Sequence, residues 1–518
     1  MTKPPLKATL TVGGATFISR IFGYVRDAVI FILFGANAGT DAFFVAFRIP
    51  NFLRRIFAEG AFSQAFVPVM TSHLKQDKSA FRHLIDHSSG LLSLALLFIT
   101  ALGMLTAPWL ITLFAPGFND PTQQQLASDM LRIVFPYLFF ISLTAMAASL
   151  LNVKQRFAIP ALTPVLLNVA LILAAIFLAP KMAQPITALA WGVFIGGAAQ
   201  LALQIPFLLK EKCLPIPRLS GATAGVKRIA KLMLPAIFGS SIVQLNLLIN
   251  TVIASFLTVG SISWLYVSDR FVELPLAIFG VAIATVLLPM LSRQFVAANS
   301  DDFNHSLHWA LRLTCLFAIP ATAGLILLAE PIIISLMQYR AFTALDTQMS
   351  ALSLVAYGSG LPAFIAVKIL APGFFARENT RTPMLIGASA IGINIVLSLS
   401  LLWLWHRQEW IGAHAGLALA TSLAAYLNAF LLYRCLRQEQ VLKQDTRYFA
   451  LLFKIVIATL VLSSLLLGLL PDPSQWTQWG VVIRILVLTA LIAIAVLAYA
   501  ASLFLLGLRP AQFKYPAT

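Results

Sequence analysis

The stretch Ile485-Leu-Val-Leu-Thr-Ala-Leu-Ile-Ala-Ile-Ala-Val-Leu-Ala-Tyr-Ala-Ala-Ser-Leu-Phe-Leu-Leu-Gly-Leu508 decides the fold class, because it runs for 24 residues without a charge. About 20 apolar residues in a helix cross the roughly 30 Å of hydrocarbon in a bilayer. Leu91–Leu102 is a second run of this kind. The strands of a membrane barrel alternate apolar and polar residues instead. The two runs therefore favour transmembrane helices and exclude a barrel.

The composition extends this interpretation to the whole chain. Of its 518 residues, 59% are hydrophobic and 11% are charged, whereas soluble domains have about 25% charged residues. The pattern predicts an all-α polytopic membrane protein with about fourteen spans. We place them at 8–36, 41–70, 84–114, 128–152, 157–179, 186–209, 229–257, 263–292, 304–336, 347–375, 383–405, 411–433, 449–470 and 481–507.

The distribution of basic residues predicts the orientation. The chain has 36 Lys and Arg against 19 Asp and Glu, a net charge of +17. An even number of spans puts both termini on one side, and the loops on that side hold most of the basic residues. The opposite loops hold little beyond Lys181, Arg340 and Arg407. Because cytoplasmic loops are enriched in Lys and Arg, we expect both termini in the cytoplasm. The charge excess then reflects topology, and no nucleic-acid partner is expected.

A weak internal repeat predicts the organisation of the spans. Asp41–Arg48 aligns with Ser263–Arg270 at an offset of 222. Six spans separate the two segments, and an even number preserves direction, so the halves are expected to be parallel repeats. We predict two six-helix lobes, 1–220 and 221–440, around a central cationic cavity. Residues 441–518 then form two additional C-terminal helices.

Charged residues inside the predicted spans indicate a function. A charge at the centre of a span costs about 2.5–3.5 kcal/mol on insertion scales, so such residues normally face a wet cavity. In spans 1 and 2, five arginines face only three acids, which predicts a site for an anion. Arginine binds phosphate with a planar, two-pronged fork. The polar residues concerned are Ser19, Arg20, Arg26, Asp27, Asp41, Arg48, Asn51, Arg54, Arg55, Glu59, Arg270 and Glu273, with Lys368 in span 10.

The sequence offers no catalytic or cofactor-binding pattern. Its three cysteines, Cys213, Cys315 and Cys435, are too scattered for a zinc site or a disulfide framework. A phosphate-binding loop of the Gly-x-x-x-x-Gly-Lys-Ser/Thr type does not occur. We therefore expect no metal, no cofactor and no enzymatic activity.

Two segments carry a resemblance to a known family. Arg54-Arg-Ile-Phe-Ala-Glu-Gly-Ala-Phe-Ser63 and Asp269-Arg-Phe-Val-Glu273, within a likeness that covers the whole chain, closely resemble the MurJ (MviN) family of lipid II flippases. The resemblance implies a member of the multidrug/oligosaccharidyl-lipid/polysaccharide exporter superfamily. Such a protein moves undecaprenyl-diphosphate-linked disaccharide-pentapeptide to the outer leaflet of the bacterial inner membrane for peptidoglycan synthesis.

The resemblance also implies roles for individual residues. Its partners would be lipid II, membrane lipids and other cell-wall synthesis proteins, and its last two spans would form a groove for the lipid tail. We expect Arg20, Arg26 and Arg270 to bind the diphosphate. The acidic residues would hold these arginines when the site is empty. The substrate-binding positions implied are Ser19, Arg20, Arg26, Asp27, Asp41, Asn51, Arg54, Glu59, Arg270 and Glu273.

Other functions stay open at this point. An exporter of another lipid-linked oligosaccharide or of small molecules would share the fold, although an arginine-rich site disfavours cationic drugs. A membrane-bound enzyme of lipid-linked sugar assembly needs several carboxylates converging on magnesium, and the sequence shows none. A scaffold for wall-synthesis proteins would need larger cytoplasmic loops than these.

Overall fold

The computed structural model describes residues 6–55, 66, 68–72, 78–219, 224–408, 411–443, 447–509 and 513. Every regular element in these ranges is helical, which confirms the predicted all-α class. The helices form two compact units, Met1–Ser263 and Trp264–Thr518. The division into lobes at residues 220 and 440 stays a prediction.

Nine α-helices of the first unit have both ends within the described residues. They are α1 (Leu6–Phe34), α2 (Ala38–Arg54), α3 (Lys78–Leu105), α4 (Ala107–Phe114), α5 (Pro121–Val134), α6 (Tyr137–Val153), α7 (Ala158–Leu173), α8 (Thr187–Lys210) and α9 (Ala224–Ser255). A π-helical turn, Ala174–Leu178, follows α7.

The boundary between the units falls in the first turn of the next helix, α10. The remaining helices are α10 (Ser261–Pro275), α11 (Ala282–Val296), α12 (Ser300–Leu327), α13 (Ala329–Leu336), α14 (Ala344–Ser359), α15 (Leu361–Phe375), α16 (Arg381–Arg407), α17 (His414–Gln438), α18 (Arg447–Leu469), α19 (Pro473–Gln478) and α20 (Val481–Leu505).

Eleven stretches in the described residues are long and apolar enough to cross a membrane. Each coincides with one of the predicted spans, so the multi-pass character is confirmed. The predicted spans 8–36, 41–70 and 229–257 overlap α1, α2 and α9, which are helical but not among the eleven. α1 carries four charged residues, Lys7, Arg20, Arg26 and Asp27, and α2 has only 17 residues. The count of fourteen is therefore not confirmed.

Glycines allow α8 to pack closely on its neighbours in the first unit. A Cβ atom on Gly196 would lie 2.8 Å from Leu167 Cδ1 in α7, and one on Gly192 would lie 2.9 Å from the Cβ of Ala174. The two glycines are four residues apart, so they share a face of the helix. Small residues at this spacing let membrane helices approach closely enough for extensive van der Waals contact.

Within the second unit, the two C-terminal spans pack on α12. Leu316 of α12, Leu462 of α18 and Leu491 of α20 belong to one buried cluster. The Tyr499 hydroxyl of α20 donates a hydrogen bond of 2.8 Å to the Leu316 carbonyl. Apolar packing and this polar contact together fix α18 and α20 against α12.

Replacing Gly196 by Leu should destabilise the first unit by about 1–3 kcal/mol, the usual cost of overpacking. The matched control is Gly387→Leu in α16, because a Cβ on Gly387 meets no atom within 4 Å. Thermal unfolding in detergent should show a lower midpoint for Gly196→Leu and an unchanged one for Gly387→Leu. Equal midpoints for both variants would contradict the packing described.

Candidate functional site

Arg26 and Asp27 form a buried ion pair within α1. Their exposed fractions are 6% and 1%. The Nε and Nη2 atoms of Arg26 both donate to Asp27 Oδ1, at 2.8 and 2.5 Å, and Nη1 donates to Asn168 Oδ1 at 3.0 Å. A buried charge is tolerated when it is paired and its donors are hydrogen-bonded. Arg26 meets both conditions, so its charge is already neutralised in this state.

Asn168 of α7 was not predicted from the sequence as a site residue. Its Nδ2 atom donates to the Ser19 carbonyl at 3.1 Å, while its Oδ1 accepts from Arg26. One amide therefore joins two points of α1, two turns apart, to α7. The sequence does carry a signal, since Asn168 is the only polar residue in the run 165–179.

Arg20 differs from Arg26 although both lie on α1. Its side chain is exposed, and among the described residues it has no hydrogen-bond or ion-pair partner. The two arginines are six positions apart, which is about 9 Å along the helix axis. The same helix thus carries a compensated guanidinium and an available one.

Asp41 does not hold an arginine, contrary to the expectation from the sequence. Its carboxylate is buried; Oδ2 accepts from the Gly260 amide at 2.7 Å, and Oδ1 accepts from the Ser263 amide and hydroxyl at 2.9 and 2.6 Å. Backbone amides at the start of a helix lack intrahelical partners, and a carboxylate satisfies them well. Among the described residues, Asp41 therefore caps the first turn of α10; Arg48 lies near enough to act on it electrostatically but gives it no hydrogen bond.

The other predicted residues of α2 that the structure describes contact α9 or each other. Arg48 donates to the hydroxyl of Thr251, which is buried in α9. Arg54 Nε donates to Asn51 Oδ1 at 2.9 Å, and both side chains are half-buried. The structure thus joins two of the predicted positions, Asn51 and Arg54. Glu59 lies outside the described residues.

Arg270 and Glu273 form an ion pair on α10. Arg270 Nη1 donates to Glu273 Oε2 at 2.8 Å, and the two side chains are 30% and 42% exposed. Nε and Nη2 of Arg270 also donate to the Tyr266 hydroxyl, at 3.2 and 2.9 Å. Sequence reasoning missed Tyr266, although it lies one turn before Arg270. Because the pair is partly exposed, a ligand can compete for the guanidinium.

The geometry ranks the three arginines that were expected to bind a diphosphate. Arg20 is exposed and unpartnered among the described residues, Arg270 is partly exposed and paired, and Arg26 is buried and paired. Within the first unit, an anion can contact Arg20 directly and can bind Arg26 only by displacing Asp27. Within the second unit, an anion can share Arg270 with Glu273.

The second unit contains an apolar groove between α12, α18 and α20. Its volume is about 850 Å³, and Phe317, Leu466 and Val496 contribute to its walls. At one end it is lined by Arg509 and Phe513. The Arg509 side chain is exposed. A long groove without internal charge suits a hydrocarbon chain, and a guanidinium at its end suits an anionic group.

Comparison with known proteins gives a consistent result over the whole chain. The family model described as "Lipid II flippase MurJ" matches residues 30–502. A probable lipid II flippase MurJ of Vibrio cholerae is 43% identical, with 99% of this chain and 98% of the relative covered. The lipid II flippase MurJ of Burkholderia cenocepacia is 41% identical, with 98% of each chain covered.

Solved structures agree with the sequence relatives. A lipid II flippase MurJ in an inward closed conformation superposes with a TM-score of 0.79 at 29% identity, covering 95% of this chain and 98% of the other. An inward-facing multidrug transporter of the MATE family has a TM-score of 0.68 at 13% identity, covering 81% of this chain and 94% of the other. That second likeness shows the fold alone. On the family model and the full-length relatives, the chain belongs to the MurJ family of lipid II flippases.

Proposed function

We propose that this protein moves lipid II, undecaprenyl-diphosphate-linked disaccharide-pentapeptide, from the inner to the outer leaflet of the cytoplasmic membrane by alternating access. Both termini lie in the cytoplasm, and the product supplies peptidoglycan synthesis. The observation that carries the proposal is the family likeness along nearly the full chain. The arginines of the membrane helices and the apolar groove supply features that a lipid-linked diphosphate requires.

In each unit, the accessible guanidinium group is the one that binds phosphate. Arg20 offers all of its donors, because it has no partner among the described residues. Arg270 offers an exchangeable pair with Glu273. Hydrogen bonds between charged groups contribute about 1.5–3 kcal/mol each. Arg26 acts mainly by fixing α1 through Asp27 and Asn168, and the other predicted positions guide or orient the head group.

The prenyl tail occupies the groove between α12, α18 and α20. The groove has apolar walls along its length and a cation, Arg509, at its end. A tail held there remains in an apolar environment while the polar head crosses, so only the head needs a hydrated path.

The proposed activity is tested with purified protein in liposomes that contain fluorescent lipid II in both leaflets. Wild-type protein should make the labelled head groups of both leaflets accessible to an external reagent, while protein-free liposomes expose only the outer pool. Folded, inserted protein that leaves the inner pool protected would refute the proposal.

Replacing Arg20 or Arg270 by Ala should reduce lipid II transport by about tenfold or more, since each loses charge-assisted hydrogen bonds to phosphate. Arg132→Ala is the matched control, because Arg132 is an exposed arginine that pairs with Asp129. Transport rates in the liposome assay check the prediction. Wild-type rates in both Arg20→Ala and Arg270→Ala would count against the assigned phosphate contacts.

Variants of the Arg26–Asp27 pair test whether Arg26 has a structural role. Asp27→Ala removes the counterion of a buried guanidinium and should cost about 3–5 kcal/mol of stability. Arg26→Met combined with Asp27→Leu should restore most of that stability, because apolar replacements of a buried pair are often neutral. Thermal unfolding in detergent measures both changes. A double variant no more stable than Asp27→Ala would contradict the ion-pair account.

Filling the groove should weaken transport of the long-tailed substrate. Gly324 lines the groove, and a Cβ there meets no atom within 4 Å, so Gly324→Phe adds a ring to the groove with no clash at its Cβ. Gly392→Phe in α16 is the control, since Gly392 also faces open space but does not line the groove. Transport of a lipid II analogue with a short tail should be spared in Gly324→Phe. Equal transport of the long and short substrates by this variant would exclude a tail in the groove.

A further inference from the structure

The wall that α12 contributes to the apolar groove contains a proline. The helix runs without a break from Ser300 to Leu327, with Pro320 inside it. Pro320 lines the groove, as do Phe317 and Gly324, about one turn away on either side. An α-helix bonds the carbonyl of each residue to the amide four residues later, and proline has no amide hydrogen. The Leu316 carbonyl therefore lacks its usual donor at a point where the helix faces the groove.

Tyr499 of α20 supplies a donor to this carbonyl. Its hydroxyl donates a hydrogen bond of 2.8 Å to the Leu316 oxygen. Tyr499 is only 9% exposed and lines the groove itself. Hydrocarbon offers no donors, so a carbonyl that proline leaves free in a membrane helix has to be satisfied by another part of the protein. A side chain of α20 thus replaces the bond that α12 cannot make within itself.

Two other prolines inside helices of the second unit have no such compensation. Pro289 in α11 and Pro372 in α15 deprive the carbonyls of Thr285 and Lys368 of their usual amide. Among the described residues, no side chain donates to either carbonyl. Neither of these prolines lines the groove. Of the three positions, the freed carbonyl receives a side-chain donor only where the proline lies in the groove wall.

The bond from Tyr499 fixes the part of α12 that can bend most easily. Proline removes one helical hydrogen bond and crowds the carbonyl four residues earlier, so membrane helices bend at such positions. A change of bend at Pro320 moves the segment that follows, including Gly324, relative to α20. The width of the groove then changes as well. Tying the Leu316 carbonyl to α20 holds the two walls at one spacing.

We propose that Tyr499 is a positioning residue for the lipid tail, because its bond to the carbonyl freed by Pro320 keeps α12 and α20 at the spacing that accepts a prenyl chain. This inference rests on the proposed function, which places the tail of lipid II in the groove. Without the hydroxyl, α12 bends more freely and the groove guides a long tail less well. The arginines assigned to the head group are unaffected, so the loss falls on discrimination between long and short tails.

The test compares Tyr499→Phe with wild type in the liposome assay, using lipid II with its full tail and an analogue with a short tail. The ratio of kcat/KM for the long-tailed over the short-tailed substrate should fall about fivefold, the effect of losing one neutral hydrogen bond. A purely structural defect would slow both substrates by the same factor and leave this ratio unchanged.

Tyr426→Phe is the matched control. The Tyr426 hydroxyl of α17 also donates to a backbone carbonyl of another helix, that of Ser359, at 2.8 Å. Tyr426 does not line the groove. Its replacement removes the same kind of bond elsewhere in the second unit and should leave the ratio at the wild-type value.

A rescue separates the bond to Leu316 from other effects of the hydroxyl. Pro320→Ala restores an amide donor for the Leu316 carbonyl, so Tyr499→Phe made in that background should change the ratio by no more than about twofold, a coupling that a double-mutant cycle measures. An unchanged ratio in Tyr499→Phe, an equal fall in Tyr426→Phe, or a full effect in the Pro320→Ala background would overturn the proposal. If wild type does not transport lipid II, the proposed function fails and this role fails with it. Transport by wild type with an unchanged ratio in Tyr499→Phe refutes only the positioning role.

Discussion

A guanidinium that is buried inside a membrane helix must be compensated, and the contacts of Arg26 in α1 follow from that constraint. A central arginine costs about 2.5–3.5 kcal/mol on insertion scales. Arg26 offsets this cost with Asp27 on the same helix and Asn168 on α7. Asn168 Nδ2 also donates to the Ser19 carbonyl. One side chain therefore both compensates the charge of Arg26 and fixes α7 against α1. A shift of α1 along α7 would break both at once.

The same constraint separates arginines that stabilise the protein from arginines that we propose to bind a ligand. Arg26 donates its hydrogen bonds to protein groups, so replacing it should first weaken the packing of α1. Arg20, on the same helix, is exposed and has no partner among the described residues. Arg270 lies between these extremes, since Glu273 and Tyr266 hold it but leave it 30% exposed. Exposure with exchangeable partners distinguishes a binding residue from a structural one.

Hydropathy sufficed to predict eleven of the spans, because each needs only its own sequence to be apolar. Hydropathy could not decide whether α2 spans the membrane. This helix has only 17 residues and several polar side chains, so its placement depends on the helices that pack against it. Partners were harder still. Asp41 was expected to hold an arginine but caps α10 through Gly260 and Ser263, and Asn168 was missed. Charge counting identifies which residues need partners, whereas the partner is fixed by helices that are distant in sequence.

The groove and the arginines contribute to binding in different ways. Moving a prenyl tail from lipid into an apolar groove removes little apolar surface from water, so the hydrophobic gain of about 0.8 kcal/mol per CH₂ does not apply to that step. The groove can therefore guide the tail without holding it tightly. Affinity must come from the head, where charge-assisted contacts to phosphate are available. A transporter also has to release its cargo. With the phosphate contacts proposed above, the partly exposed Arg270–Glu273 pair would allow release, because the carboxylate would reclaim the guanidinium as the phosphate leaves.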